Sequence, residues 1–192
     1  RDKKATRDSV HTAVGLSLAG GVVLMLAGCI GAPYFLRWMG VEIAIMTEAV
    51  SYLRIYFLGL TSVITYNMAS GIIRATGNSS VPMLTQLAGG IANVIADAVL
   101  IRNFPCVESA AWASMISQTL AAGMCLVYLM KQDGDCRLIW REVQIQKEIL
   151  LRIIKIGVPA GFQNLVITLS NIFAQYHINS LGVDAISAYT TY

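Results

Sequence analysis

Asp97 is the one acidic or basic residue in the run 76–101, TGNSSVPMLTQLAGGIANVIADAVLI. Gln86, Asn93 and Asp97 recur at spacings of seven and four residues. At roughly 100° per helical residue they fall on one narrow face. A carboxylate in so apolar a helix is costly unless it faces a cavity or a partner, so it points to an ion or substrate path. A hydrogen-bonded structural Asp is the plainer alternative.

A second pattern follows further along. Asn164, Thr168, Asn171 and Gln175 recur at i, i+4, i+7 and i+11, an amide and hydroxyl stripe along one helical face. Lipid cannot solvate such a stripe, which must face other helices or a water-filled cavity; four residues in register favour the cavity. Asn67 lies in the middle of another apolar run, beside Tyr66 and Ser70, and is either a hydrogen-bonding link between helices or a lining residue. Ser114 and Gln118 lie one turn apart on a further apolar segment. His177 could titrate, but a lone His is more often a structural hydrogen-bond partner.

The elements that must carry these residues are membrane spans. The chain is 56% hydrophobic and 13% charged, with mean hydropathy +0.62, against about 25% charged residues in soluble domains. The runs 10–36, 55–73, 109–130 and 156–183 contain no Asp, Glu, Lys or Arg, and 76–101 contains only Asp97. Each suits the ~20 residues that cross a hydrocarbon core. The expected fold class is therefore an all-α integral membrane protein, a polytopic helical bundle of five spans joined by short connectors.

Taken in order, RDKKATRD is a basic segment followed directly by a full-length span, too long for a signal peptide. That span is expected to start near Ser9, with Asp8 or Ser9 as N-cap, and to end around residues 33–36. Gly15, Ala19, Gly20, Gly21 and Gly28 would let a neighbour approach closely. Residues 40–50 should lie at the surface, and a second span should run from about Ala49 to Ile73, with Arg54 near its start, free to snorkel. Pro82 fits the first turn of the third span. From about Ile139 the chain mixes apolar and charged residues as an interfacial helix would, with Trp140 and Ile149 on one side and Arg141, Lys147 and Arg152 on the other. A linker between two halves and a plain solvated loop are both consistent with it. The fifth span should begin at GVPAGFQN, kinked by Pro159. DAISAYTTY reads as the start of a sixth helix, and both ends look cut, as in a fragment.

The cations set the orientation. Arg1, Lys3, Lys4, Arg7, Arg74, Lys131, Arg137, Arg141, Lys147, Arg152 and Lys155 would share one side, with Arg37 and Arg102 opposite. The positive-inside rule makes the first side cytoplasmic, in a multi-pass protein of the cytoplasmic membrane, and puts Asp97 in the outward half of its span. Cys29, Cys106, Cys125 and Cys136 do not share an aqueous side, so neither a disulfide nor a thiolate metal site is expected. The inner loops account for the net charge of +3, so nucleic acid is not implied.

The segments YLRIYFLGLTSVITYNMASGIIRATGNSSVPM, IANVIADAVLI, ESAAWASMISQ and KIGVPAGFQNLVITLSNIFAQYHINSLGVDAISAY, in this order and spacing, resemble the multidrug and toxic compound extrusion (MATE) family. Its members have twelve helices in two lobes. The resemblance implies that residues 1–130 belong to the N-terminal lobe, about four transmembrane helices of it, that 131–155 form the cytoplasmic inter-lobe linker, and that 156–192 begin the C-terminal lobe. It implies an antiporter, monomeric as the full-length protein, that exports small organic cations or drugs by alternating access. Sodium or proton would be the coupling ion, with no other cofactor.

The family's N-lobe cation site would map onto Asp97, Asn93, Asn67 and Tyr52, with Ser114 where Thr is frequent. A sodium would sit at Asp97 and Asn93, while Gln86, Asn164, Thr168, Asn171 and Gln175 would line the substrate cavity. Some sodium-coupled members carry a Glu where Ile167 aligns, so a second-lobe carboxylate site is not expected. A lipid-linked oligosaccharide flippase of the same superfamily is the alternative; it would be expected to line its cavity with Arg or Lys, and these spans hold none deep inside. An intramembrane enzyme would need a second catalytic group beside Asp97, and the sequence offers none.

Overall fold

The computed structural model describes residues 3–180, without the side chains of 172 and 174–180. The DAISAYTTY segment, Arg1 and the side chains of Gln175 and His177 lie outside the described residues. Among the described residues six helices are formed: α1 (Lys3–Trp38), α2 (Ile43–Leu58), α3 (Leu60–Ala75), α4 (Ser80–Asn103), α5 (Val107–Lys131) and α6 (Lys147–Ser180), with a 3-10 turn at Trp140–Glu142. Five segments of the described residues are long and apolar enough to span a membrane: α1, α2 with α3 as one element Ile43–Ala75, α4, α5, and Lys147–Asn171 within α6. The chain is thus a multi-pass helical membrane protein.

The chain divides into two compact units, Arg1–Gln146 and Lys147–Tyr192. In the first, α4 packs most extensively on α5, α1 packs on α3 and α2, and α5 also meets α3 and α2. Lipid tails are as apolar as Leu, so close van der Waals packing must hold these helices together. Small residues permit it. A Cβ on Gly21 would lie 2.9 Å from the Cα of Thr61, and one on Gly28 would overlap the Phe57 ring. Gly15 meets Val143 and Ile145, whereas Gly20 is open and Ala19 exposed, so only part of the expected small-residue set is used. The core gathers at one end of the unit: Val14, Tyr66, Ala69, Ile73, Ala121, Ala122, Cys125, Leu129 and Leu138.

The turn between α3 and α4 is closed at that same end. Gly77 takes φ +89° there, which favours glycine. Asn78 accepts from the Val81 N–H through Oδ1 (3.3 Å) and donates through Nδ2 to the Tyr128 hydroxyl (3.0 Å). Pro82 sits in the first turn of α4, as expected, and its carbonyl accepts from the Tyr66 hydroxyl at 2.9 Å.

Several expectations are corrected. The first helix begins at Lys3 rather than Ser9 and runs through Pro33 to Trp38. Ser9 donates to the Ala5 carbonyl inside the helix instead of capping it, because the basic segment is itself helical. Residues 43–50 are part of α2, so Arg54 lies about 16 Å from its start at 1.5 Å per residue. Its Nε donates to the Cys29 carbonyl of α1 (3.2 Å), which holds the guanidinium across the helix pair. No separate interfacial helix forms after Ile139. Leu138 is buried, and its N–H donates to the Leu129 carbonyl. The residues that follow lie against α1: Arg7 pairs with Glu142, and the Thr12 hydroxyl donates to the Gln144 carbonyl. Helix α6 starts at Lys147, well before GVPAGFQN, and continues through Pro159.

Candidate functional site

Helices α4 and α5 approach closely at Gly89, where an added Cβ would come within 3.2 Å of the Ala121 Cβ and 3.3 Å of the Ser117 carbonyl oxygen. That proximity brings the polar face of α4 within reach of α5 one turn later. Asn93 Nδ2 lies 3.5 Å from Ser117 Oγ, to which it donates, and Ser117 Oγ in turn donates to the Ser114 carbonyl at 2.9 Å. The amide's N–H side is thereby directed at α5, and its carbonyl oxygen is the acceptor left over among the described residues.

Beside this contact, a cavity of about 380 Å³ opens between α4, α5 and the junction of α2 with α3. Gln86, Asn93, Ser114, Ser117 and Gln118 supply its polar lining, with Tyr56, Leu60, Val63 and Met115 among the apolar groups. Gly59, between α2 and α3, completes the wall, and a Cβ there would press on Met115 at 3.3 Å. Its N–H bonds the Tyr56 carbonyl three residues back, the tightened turn that separates α2 from α3.

Asp97 stands one turn beyond Asn93 on α4. Its Oδ1 is buried and has no hydrogen-bond partner among the described residues. A buried polar atom so placed costs free energy until a proton, cation or donor reaches it. Asp97 is not itself part of the cavity lining.

The expected residues therefore separate. Gln86, Asn93 and Ser114 come together in one cavity, with Asp97 a turn away. Tyr52 is half-buried and stacks on Tyr56 (centroids 6.5 Å apart, planes at 17°); Tyr56, not Tyr52, lines the cavity. Asn67 is exposed on α3, outside this cavity, and its main-chain carbonyl accepts from Ser70 Oγ. In the second unit Asn164, Thr168 and Asn171 are exposed on α6, and Thr168 Oγ1 donates to the Asn164 carbonyl at 2.8 Å. Sequence reasoning passed over Ser117 and Tyr56. Ser117 had a signal: it follows Ser114 by three residues on the small-residue face of α5 that meets Gly89.

The description MatE belongs to the family model that matches residues 1–99 of this chain, just over half of it. The chain belongs to the MatE family. MatE proteins are membrane transporters and not enzymes. Among its relatives, the probable multidrug resistance protein YoeA of Bacillus subtilis (strain 168) is 27% identical over 98% of this chain and 42% of its own length. The multidrug export protein MepA of Staphylococcus aureus (strain NCTC 8325 / PS 47) is 30% identical over 72% of this chain and 31% of its own. A solved structure of a multidrug resistance MATE family transporter in the outward-facing conformation superposes with TM-score 0.82 at 24% identity, covering 97% of this chain and 42% of that one. This likeness establishes the fold. The chain thus spans about two fifths of the length of YoeA and of that transporter.

Proposed function

We propose that the chain is the central part of a cation-coupled antiporter that exports organic, chiefly cationic, drugs or metabolites across the cytoplasmic membrane. The observation that carries this is the buried, unpartnered Oδ1 of Asp97 one turn from Asn93, which reaches into an amide- and hydroxyl-lined cavity. A carboxylate with no counter-charge among the described residues suits exchange between a small cation and a cationic substrate. Asp97 and Asn93 are the sodium or proton site, with Ser114 beside them and Tyr52 and Asn67 more distant contributors. In the first unit Gln86 is a substrate-lining residue, and in the second unit Asn164, Thr168, Asn171 and Gln175 are substrate-lining residues of α6.

The names of relatives such as the multidrug export protein MepA support export of drugs. The cavity's lining contains no Lys or Arg, which tells against a lipid pyrophosphate as cargo. Lys3, Lys4, Arg7, Arg74, Lys131, Arg137 and Arg141 belong to the end of the first unit where Arg7 meets Glu142 and Asn78 meets Tyr128, which supports a cytoplasmic position for that end. Residues 131–155 are read as the inter-lobe linker between an N-terminal lobe (1–130) and the start of a C-terminal lobe (156–192).

The test is efflux of a fluorescent organic cation from cells producing the full-length protein, with Asp97 intact or replaced by Asn, under imposed sodium and proton gradients. Gradient-driven efflux that disappears in Asp97→Asn at equal membrane abundance supports the site, and the gradient that drives it identifies the ion. Undiminished efflux in the variant would overturn the assignment.

A further inference from the structure

The segment that leads from α5 to the second unit is fastened to α1 by two buried polar side chains. His11 is 2% exposed and Thr12 fully buried. His11 Nδ1 lies 2.7 Å from the Arg7 carbonyl oxygen, and Nε2 lies 3.0 Å from the Ile139 main-chain nitrogen. A carbonyl can only accept and a main-chain N–H can only donate. The ring is therefore the neutral tautomer with its proton on Nδ1 and its lone pair on Nε2. Next to it, the Thr12 hydroxyl donates to the Gln144 carbonyl (3.1 Å) and accepts from the Gln146 N–H (3.4 Å). Gln146 is the last residue of the first unit, and α6 begins at the next one.

We propose that His11 is a proton-released latch on this connecting strap. When the ring gains a proton from solvent at Nε2, the lone pair that accepts from Ile139 is consumed, and two N–H groups then face each other across 3.0 Å. The charged groups that face the imidazole are Glu142 of the strap, with Oε2 3.9 Å from Nε2, and Arg7 one turn earlier on α1, whose guanidinium holds both oxygens of Glu142. Both of these side chains are 45% exposed, so the groups beside the buried ring reach solvent. Among the described residues Glu142 is the acceptor to which the new N–H can turn, in competition with Arg7, so the tie to the main chain is exchanged for one to a surface side chain. Thr12 does not titrate and keeps the far end of the strap in place. The result is a strap held along residues 139–146 when His11 is neutral and loosened from its start when His11 is charged. The inference does not depend on the export reading.

Hydrogen–deuterium exchange of the full-length protein in detergent tests it, with peptides covering 139–146 followed from about pH 8 to pH 5 and corrected for the chemical exchange rate at each pH. Protection is expected to fall about tenfold at the acid end, as one main-chain hydrogen bond to a buried acceptor is lost. The same fall should persist in Glu142→Gln and should be missing in His11→Gln, whose amide carbonyl has no proton to gain in this range. A wild-type profile that is flat with pH, a fall that survives in His11→Gln, or a fall that vanishes in Glu142→Gln would each overturn the latch.

Discussion

Two sets of polar residues sit in the same bundle under opposite conditions. At the basic end, His11, Thr12, Asn78 and Tyr66 each have a defined partner: main-chain groups for His11 and Thr12, Val81 and Tyr128 for Asn78, and the Pro82 carbonyl for Tyr66. Around the cavity, Asn93 is tied on one side only, and Asp97 has a buried oxygen with no partner among the described residues. Polar groups in an apolar helix are costly in both places, but at the basic end the fold itself repays that cost. Near the cavity that cost is left unmet at Asp97 Oδ1 among the described residues. Asp97 Oδ1 shares this condition with Thr65 Oγ1, the other buried side-chain atom without a partner among the described residues, and differs from it in belonging to an acid.

The largest effect should come from the orphaned group. Asp97→Asn removes a charge that has no protein partner, so export should be lost while the full-length protein unfolds at an unchanged or higher denaturant concentration. Paired measurements of efflux and of chemical unfolding in detergent check this, and a marked loss of stability would move Asp97 to the structural side of the comparison. Thr12→Val does the reverse. It leaves the Gln146 N–H and the Gln144 carbonyl without their hydroxyl partner and should destabilise the protein by about 1–3 kcal/mol, measured by the same unfolding assay. The ion dependence of export in surviving protein should not change.

The sequence made the spans legible because charge-free runs of membrane length admit few other readings. It also made the α4 face legible, since Gln86, Asn93 and Asp97 share a helical period. It did not reveal the interrupted second element. Residues 43–50 contain Glu48 and follow Glu42, and most of them are exposed, as their charge suggests, but the helix also extends through them past the apolar run. Nor could it show what becomes of residues 138–146. Their mixture of apolar and charged residues suits an interfacial helix and equally a strap along α1, and only the distant partners Arg7, His11 and Thr12 decide between them. Tyr56 was invisible for a related reason: its place in the cavity depends on α4 and α5 meeting the junction at Gly59, a tertiary fact.

Asn93 tests the boundary between the two classes. Asn93→Ala deletes the contact with Ser117 and should lower stability by about 0.6 kcal/mol, the average for an interhelical hydrogen bond in a membrane protein. Export should drop by much more than so small a change in folding can explain. Comparing efflux per folded molecule with the unfolding midpoint separates the two effects, and equal proportional losses would make Asn93 a packing residue.

The smallest effect is expected on α6, where the comparison is weakest. Thr168 is exposed, and its hydroxyl is already bonded to the Asn164 carbonyl of its own helix, so it needs no partner from elsewhere. Thr168→Val keeps the branched shape and removes only that local bond, and should change the stability of the full-length protein by less than about 0.5 kcal/mol. If the stripe faces an aqueous cavity that holds substrate, the concentration of drug needed for half-maximal efflux should shift while the maximal rate stays the same. A loss of stability well above that limit would mean that the stripe is packed against another helix. Thr168 would then join His11 and Thr12 among the residues whose polarity serves the fold.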